Sequence, residues 1–406
     1  MKNSVIIRKI FFKNGGEIMK KKILFALLAF MLVLTACGTT DNVNEASKGE
    51  QGKDSSDEII LRSMGPKTGA VAIYGKTTEN GIKLAIDEIN EAGGINGKKI
   101  NYATGDDKGD STEAMNLYSR YVEEGADGII GAVTSKPSLA IAENSQEDNM
   151  PIITPTGTMN SITEGKPNVF RICFTDPGQG VILANFASNN LKVKSAAVLR
   201  NTSSDYSNGV ADAFIKQAKE KGIQVVADEG YGATDKDFKV QLTNIKSKNP
   251  EVILVPDYYE NDVVIAKQVA DLGINAKILG PDGWDGVLST VAQGDDKILE
   301  NCYFTNHYYV DDQKEVVKNF VTNYRKKYNE DPSAFSALGY DAVYVYKNAF
   351  ENAKSLKHED VIEALKNATI DGVTGSLKFD ENNNPIKTSA ILTIKNGQYV
   401  LDSFVE

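Results

Sequence analysis

From Glu58 onward, short apolar runs alternate with longer stretches whose apolar residues recur every three or four positions. The short runs read as strands: EIILRSM (58–64), KKINYAT (98–104), GIIGAV (128–133), PIITP (151–155), SAAVLR (195–200), IQVVADE (223–229), EVILVP (251–256) and AKILG (276–280). The longer stretches read as amphipathic helices. In TTENGIKLAIDEINEAG (77–93), Ile82, Leu84, Ala85, Ile86 and Ile89 gather mainly on one face, while Lys83, Asp87, Glu88 and Glu91 stay toward water. TEAMNLYSRYVEEG, SNGVADAFIKQAKEKG and NDVVIAKQVADLG follow the same pattern, and each closes on a glycine, a common helix stop.

Strand and helix in alternation with short links predict an α/β fold of mostly parallel sheets covered by helices on both faces. Eight such strands are too many for one small sheet, so two lobes are expected. The first runs to about Arg171, and the second opens near Asp176 with the helix PGQGVILANFASNN. A helical block (312–367) and C-terminal strands (375–380, 389–395, 398–403) complete the chain.

Open parallel sheets bind ligands beyond the carboxyl ends of their strands, which makes the residues after each run the candidate site. In the first lobe these are Gly65 to Gly69, Thr134-Ser135 and Thr154 to Thr158; in the second they are Ser203 to Tyr206, Asp257-Tyr258-Tyr259 and Pro281 to Trp284. One lobe thus offers hydroxyls and helix-start N–H groups, which favour an anion such as a carboxylate. The other offers acids and tyrosine oxygens, which favour a cation such as an ammonium. Together they describe a clamp for a zwitterion, of which an α-amino acid is the plainest example. Each hydroxyl taken alone also fits ordinary helix capping.

The composition, 41% hydrophobic, 25% charged and 8% aromatic, is that of an ordinary soluble protein. The N-terminus departs from it. MKKKILFALLAFMLVLTAC (19–37) has a basic start, an apolar run too short for a comfortable membrane span, and small residues at its end, the layout of a secretory signal. Leu34-Thr35-Ala36-Cys37 resembles a bacterial lipobox, which implies cleavage before Cys37 and lipid attachment to its sulfur. Met19 is read as the true start, because a second basic segment follows it. Removing residues 1–36 leaves 38 basic and 54 acidic residues, which argues against a nucleic-acid partner. Cys173 and Cys302 are too few for a disulfide framework, although a bridge between them stays open. His307 and His358 are the only histidines, and no metal or nucleophile motif accompanies them. Asp106, Asp107 and Asp110 read as helix-start acids rather than a cation site. Neither a catalytic role nor a metal or cofactor is expected.

The segments MGPKTGAVAIYGKTTENGIKLAIDEINEAGGINGKKI, IIGAVTSKPSLAIAE, NMPIITPTGTMNSIT, VFRICFTDPGQG and ILGPDGWDG, in this order, resemble the leucine/isoleucine/valine-binding protein family over residues 58–406. That resemblance implies the two-lobed type I periplasmic binding fold, with three crossings between lobes near 172–175, 302–306 and 387–390. It divides the chain into a signal segment (1–36), a lipidated tether (37–57), a first lobe (58–173 with 303–388) and a second lobe (174–302 with 389–406). It also implies a carboxylate site at Ser135, Thr156 and Thr158 and an ammonium site at Tyr258 and Asp282. Tyr206 matches a ligand-contacting aromatic of the family and Tyr74 one that lines the side-chain pocket, and Trp284 is expected to add bulk beside Asp282. By alignment, Tyr259 is the alternative to Tyr258. The leucine-type members carry a glutamate where this chain has Asp282, and a first-lobe disulfide at whose position stands Thr134. The implied function is the substrate-binding lipoprotein of an amino-acid ABC importer, monomeric, with a permease and an ATPase as partners and a branched-chain amino acid or similar zwitterion as ligand. Presentation of a ligand to a sensory receptor is the alternative role.

Overall fold

The computed structural model describes residues 57–405; the signal segment, Cys37 and the tether up to residue 56 lie outside the described residues. The first lobe opens with β1 (Glu58–Gly65), α1 (Ala72–Glu91), β2 (Lys99–Asp106), α2 (Ser111–Glu123), β3 (Gly128–Ile130), α3 (Ser135–Asp148), β4 (Ile152–Thr154) and β5 (Val169–Arg171). The second follows with α4 (Asp176–Asn189), β6 (Ser195–Asn201), α5 (Asp205–Glu220), β7 (Gln224–Tyr231), α6 (Lys239–Lys248), β8 (Val252–Leu254), α7 (Tyr259–Asp271), β9 (Lys277–Gly280), α8 (Val287–Thr290) and β10 (Cys302–Asn306). The chain then returns to the first lobe for α9 (Glu315–Tyr328), α10 (Ala334–Asn352), α11 (His358–Lys366), β11 (Ile370–Gly372) and β12 (Gly375–Leu377). It ends in the second with β13 (Ser389–Lys395) and β14 (Gln398–Val405).

One sheet has the order β2-β1-β3-β4-β5 and is parallel throughout. A second has the order β14-β13-β10-β9-β8-β6-β7, with β13 and β14 antiparallel at its edge, and β11 and β12 form a separate antiparallel pair. Register explains why the strands read as unbroken apolar runs. Ile129, Ile152 and Val169 are partnered across β3–β5 and face the core under α2 and α3. Their neighbours Ile130, Ile153 and Phe170 face the opposite core, under α1 and α10. Both faces are buried, so no polar alternation appears.

α1 begins at Ala72, five residues before the sequence pattern places it; in its first turns Tyr74 lines the cleft, while Gly75 packs on the Pro66 backbone and Thr78 on Gly339 of α10. Gly81 sets the closest approach of the two long first-lobe helices: a Cβ there would lie 1.9 Å from the Ser336 carbonyl of α10. The expected caps are present where acids and hydroxyls precede helices. Asp110 accepts from the N–H groups of Thr112 and Glu113 at α2, Thr175 from Gly178 at α4, and Ser204 from Ser207 at α5. Asp106 takes the Lys67 and Lys108 N–H groups, and among the described residues no cluster has the makings of a metal site.

Two expectations need correcting. The 302–306 stretch is not a crossing: it is β10, paired with β9 on one side and β13 on the other, deep in the second sheet. The crossing follows it, from His307 on, and the third is complete by Ser389, where β13 begins. Consequently Cys173 and Cys302 do not sit on neighbouring hinge strands. Both are free thiols, Cys173 in the first-lobe core and Cys302 in the second.

Candidate functional site

Between the carboxyl ends of the two sheets lies a small cavity. Its lining is Tyr74, Val133, Thr134, Ser135, Thr156, Thr158 and Phe335 from the first lobe, and Tyr206, Tyr258, Asp282 and Gly283 from the second.

On the first-lobe side, the link from β3 to α3 turns at Thr134. Thr134 is the residue before the helix, but its hydroxyl caps nothing and has no partner among the described residues. The first-turn N–H groups of α3 therefore lack a side-chain cap beside the cavity, an arrangement that attracts an anion. Ser135 Oγ lies 3.4 Å from Thr158 Oγ1, so these two hydroxyls stand together at the helix start. The β4–β5 link is fastened from below: Thr154 Oγ1 accepts from the Gly157 N–H at 2.9 Å and donates to the Ala132 carbonyl at 3.0 Å. Thr156 differs from its neighbours. Its hydroxyl donates to the Val133 carbonyl at 2.6 Å, leaving only lone pairs for a ligand. Thr156 in this geometry is an acceptor, suited to an ammonium rather than to the carboxylate that the family resemblance implies for it.

On the second-lobe side, the chain leaves β9 in a tight 3-10 turn, Asp282–Trp284. Asp282 is buried, and its carboxylate is held from two sides. Oδ1 accepts from Gln179 Nε2 at 3.0 Å and from the Tyr206 hydroxyl at 2.9 Å, while Oδ2 lies 3.2 Å from His307 Nε2. Gln179 also clasps the backbone, since its Oε1 accepts from the Asp282 N–H at 2.8 Å and from Thr305 Oγ1 at 2.6 Å. Burial, with Asp282 close by, pushes the Tyr206 hydroxyl well above its ordinary pKa, so it remains a donor. Burial likewise raises Tyr258, whose ring stacks on Tyr206 with centroids 5.2 Å apart. Tyr259 does not line the cavity; its hydroxyl donates to the Ala70 carbonyl at 2.7 Å.

Tyr74 reaches across the cleft. Its hydroxyl donates to the Gly283 carbonyl, and its ring stacks on Phe335 at 4.2 Å. With Val133 these rings form the apolar end of the cavity. Trp284 is not part of the lining. Its indole is fully buried in the second-lobe core and donates Nε1–H to the Val255 carbonyl at 2.8 Å. Gly280 makes room for it: a Cβ there would stand 2.0 Å from the indole. Asp285 accepts from the Ala334 N–H at 2.6 Å, at the start of α10 in the other lobe.

Phe335, Gln179 and His307 have no sequence signal that marks them as site residues. Asp176 had one, its place in FTDPGQG after the first crossing. Its N–H donates to the Thr158 carbonyl at 2.9 Å, while its Oδ1 is buried without a hydrogen-bond partner among the described residues. Burial raises its carboxyl to about 7, and raises Asp107 and Asp285 each to about 6. A carboxyl whose pKa is higher folded than unfolded binds more protons in the native state, so stability falls as pH climbs from the unfolded to the folded value. With each unit worth about 1.4 kcal/mol, these three carboxyls are expected to lower the stability of the ligand-free protein between pH 5 and pH 8, an effect that His307, lowered to about 4, partly offsets below about pH 6.5. Thermal unfolding across that range checks this; a melting temperature that rises toward pH 8 would contradict it.

Residues 63–398 match the family described as periplasmic binding protein. The leucine-, isoleucine-, valine-, threonine- and alanine-binding protein of Pseudomonas aeruginosa is 31% identical over 328 residues, which is 80% of this chain and 86% of that one. Among solved structures, the branched-chain amino acid transporter substrate-binding protein LivJ of Streptococcus pneumoniae, in complex with isoleucine, is 33% identical. It superposes with a TM-score of 0.80 over 86% of this chain and 99% of its own. The leucine-binding protein LivK of Thermotoga maritima is 32% identical, with a TM-score of 0.77 over 86% of this chain and 98% of its own. The two-sheet architecture is the type I periplasmic binding fold, and by profile match, identity and superposition together the chain belongs to the periplasmic binding protein family.

Proposed function

We propose that this protein is the extracytoplasmic substrate-binding component of an ABC importer and that it takes a branched-chain amino acid. The observation that carries the reading is the division of polar groups across one small cavity. Ser135, Thr158 and the start of α3 offer donors on one side; Asp282 offers a carboxylate on the other, with the acceptor oxygen of Thr156 and the Tyr258 ring nearby. An α-carboxylate and an α-ammonium fit these two sides, and an aliphatic side chain fits the apolar end made by Tyr74, Val133 and Phe335. Of the relatives described above, one is named for leucine, isoleucine, valine, threonine and alanine, one is named for leucine, and one is a branched-chain amino acid binder in complex with isoleucine, which supports the same choice. Each lobe supplies half of the polar contacts, so the ligand stabilises the closed arrangement only when it engages both, the condition for hinge closure. The closed face is then what the permease and its ATPase recognise. The protein binds and releases its ligand unchanged; it is not an enzyme. Cys37 carries the lipid anchor that holds it at the outer face of the cell membrane.

Titration calorimetry of the mature protein tests this with L-leucine, L-isoleucine and L-valine against their amides and against 4-methylpentanoate, which lacks the ammonium. One site, with the free amino acids bound most tightly and recovered intact, is expected. Tight binding of an amide or of the bare acid, with no binding of the amino acids, would reject the ligand class. Cell fractionation reads the anchor: Cys37→Ser is expected to move the protein from the membrane fraction to the soluble one.

A further inference from the structure

His307 is buried at the second crossing, immediately after β10, and lies 25 residues from Asp282 in the chain. Its Nε2 faces the carboxylate oxygen that neither Gln179 nor Tyr206 holds. An acceptor nitrogen there would repel the carboxylate, so Nε2 carries the proton. Nδ1 is buried with no partner among the described residues, which leaves nothing to stabilise a second proton. The imidazole is therefore a neutral donor, in line with the pull of burial and of nearby Lys387 that brings its pKa down to about 4. Neutrality matters, because an imidazolium at this point would already satisfy the charge of Asp282.

The ring is also fixed from behind. It stacks on Phe174 with centroids 4.4 Å apart at 16°, and the Lys387 ammonium lies 5.1 Å from the centroid of the same phenyl ring. Lys387 donates in turn to Thr374 Oγ1 at 3.1 Å. Phe174 belongs to the first crossing, His307 to the second and Lys387 to the third, so all three connections between the lobes meet in one stack. Among the described residues, the hydrogen bond that links this stack to the ligand cavity is His307 to Asp282.

We infer that His307 is a positioning residue for ligand binding: it holds the second oxygen of Asp282 in place and ties that carboxylate to the hinge. A carboxylate has about four acceptor sites. Gln179, Tyr206 and His307 occupy three, which leaves one, on Oδ2, for the ligand ammonium. Without the imidazole donor, Oδ2 is free to turn away from the cleft and the ammonium meets a misplaced partner. The inference rests on the reading of Asp282 as the ammonium partner.

The test uses L-leucine as probe, with the mature protein and variants that keep the site polar. Glutamine places an amide N–H where Nε2 stood; asparagine places it nearer to Nδ1. His307→Gln is expected to bind within about threefold of wild type and His307→Asn about 10- to 100-fold more weakly, the range for a lost hydrogen bond to a charged group. A double-mutant cycle with Asp282→Asn separates positioning from bulk structure. In the Asp282→Asn background, the step from His307→Gln to His307→Asn is expected to change affinity by less than about threefold. Equal affinities for the two His307 variants, or the same drop in both backgrounds, would overturn the inference while leaving Asp282 its role. Wild-type affinity in Asp282→Asn alone would instead overturn the assignment of Asp282 on which it rests. Melting curves of each ligand-free variant establish that the proteins compared are folded.

Discussion

Replacing Asp282 with alanine is expected to weaken L-leucine binding by roughly 3–5 kcal/mol, about a hundredfold to several thousandfold, the usual result of leaving a buried charge without its partner. The size follows from the surroundings. Asp282 is buried, and Gln179, Tyr206 and His307 converge on its two oxygens. Among the described residues no other carboxylate lines the cavity, so a bound ammonium has no substitute in the lining. Truncation also strips three donors of their acceptor, which is why asparagine belongs in the same experiment: it keeps the shape and removes the charge. Calorimetry with L-leucine reads both variants, and circular dichroism verifies the fold. Undiminished affinity in Asp282→Ala would remove the ammonium assignment and with it the amino-acid reading of the second lobe.

What the sequence showed of the fold depended on how each element is buried. Strands such as β6 and β8 are covered on both faces and appear as unbroken apolar runs; helices such as α5 bury one stripe and appear as a period of three to four. α3 was not legible, because half of its buried face is Ser135, Ser138 and Ser145, which pack through hydrogen bonds rather than methyl groups. β5 is three residues long, too short to show a period. The second crossing was placed five residues early because β10 is itself a short apolar strand, and only its pairing with β9 and β13 reveals that the chain has not yet left the second sheet.

The site was legible where strand ends carry it. Ser135, Thr158, Tyr206, Tyr258 and Asp282 all follow a strand in a parallel sheet, and all line the cavity. The residues that orient them were not, since their contacts are long-range. Gln179 is 103 residues from the Asp282 it clasps, and Phe335 comes from a first-lobe helix to stack on Tyr74. Nor does a residue type reveal where a hydroxyl proton points: Thr156 stands in the pattern beside Thr158, yet donates to the backbone of its own lobe.

Trp284 was misplaced for a related reason, and its correct position carries the second large prediction. Glycines on both sides of an aromatic suggest an exposed turn beside a ligand. Here Gly280 instead vacates the volume that the indole fills, and Trp284 belongs to the core of the second lobe. Trp284→Ala is expected to lower the free energy of unfolding by about 3–5 kcal/mol, as for other large-to-small changes at buried aromatics. The Val255 carbonyl also loses its indole donor, a buried acceptor left unpaired at a cost of about 1–3 kcal/mol within that total. Trp284→Phe keeps most of the ring but not the N–H, so it is expected to fall between alanine and wild type. Urea unfolding followed by circular dichroism measures all three, since the chain has no other tryptophan to report by fluorescence. A wall of the ligand site would behave in the opposite way: wild-type unfolding with L-leucine affinity sharply reduced in Trp284→Phe would return the indole to the cleft. A core residue lowers stability first and affects binding only through the turn it supports, which holds Asp282 two positions away.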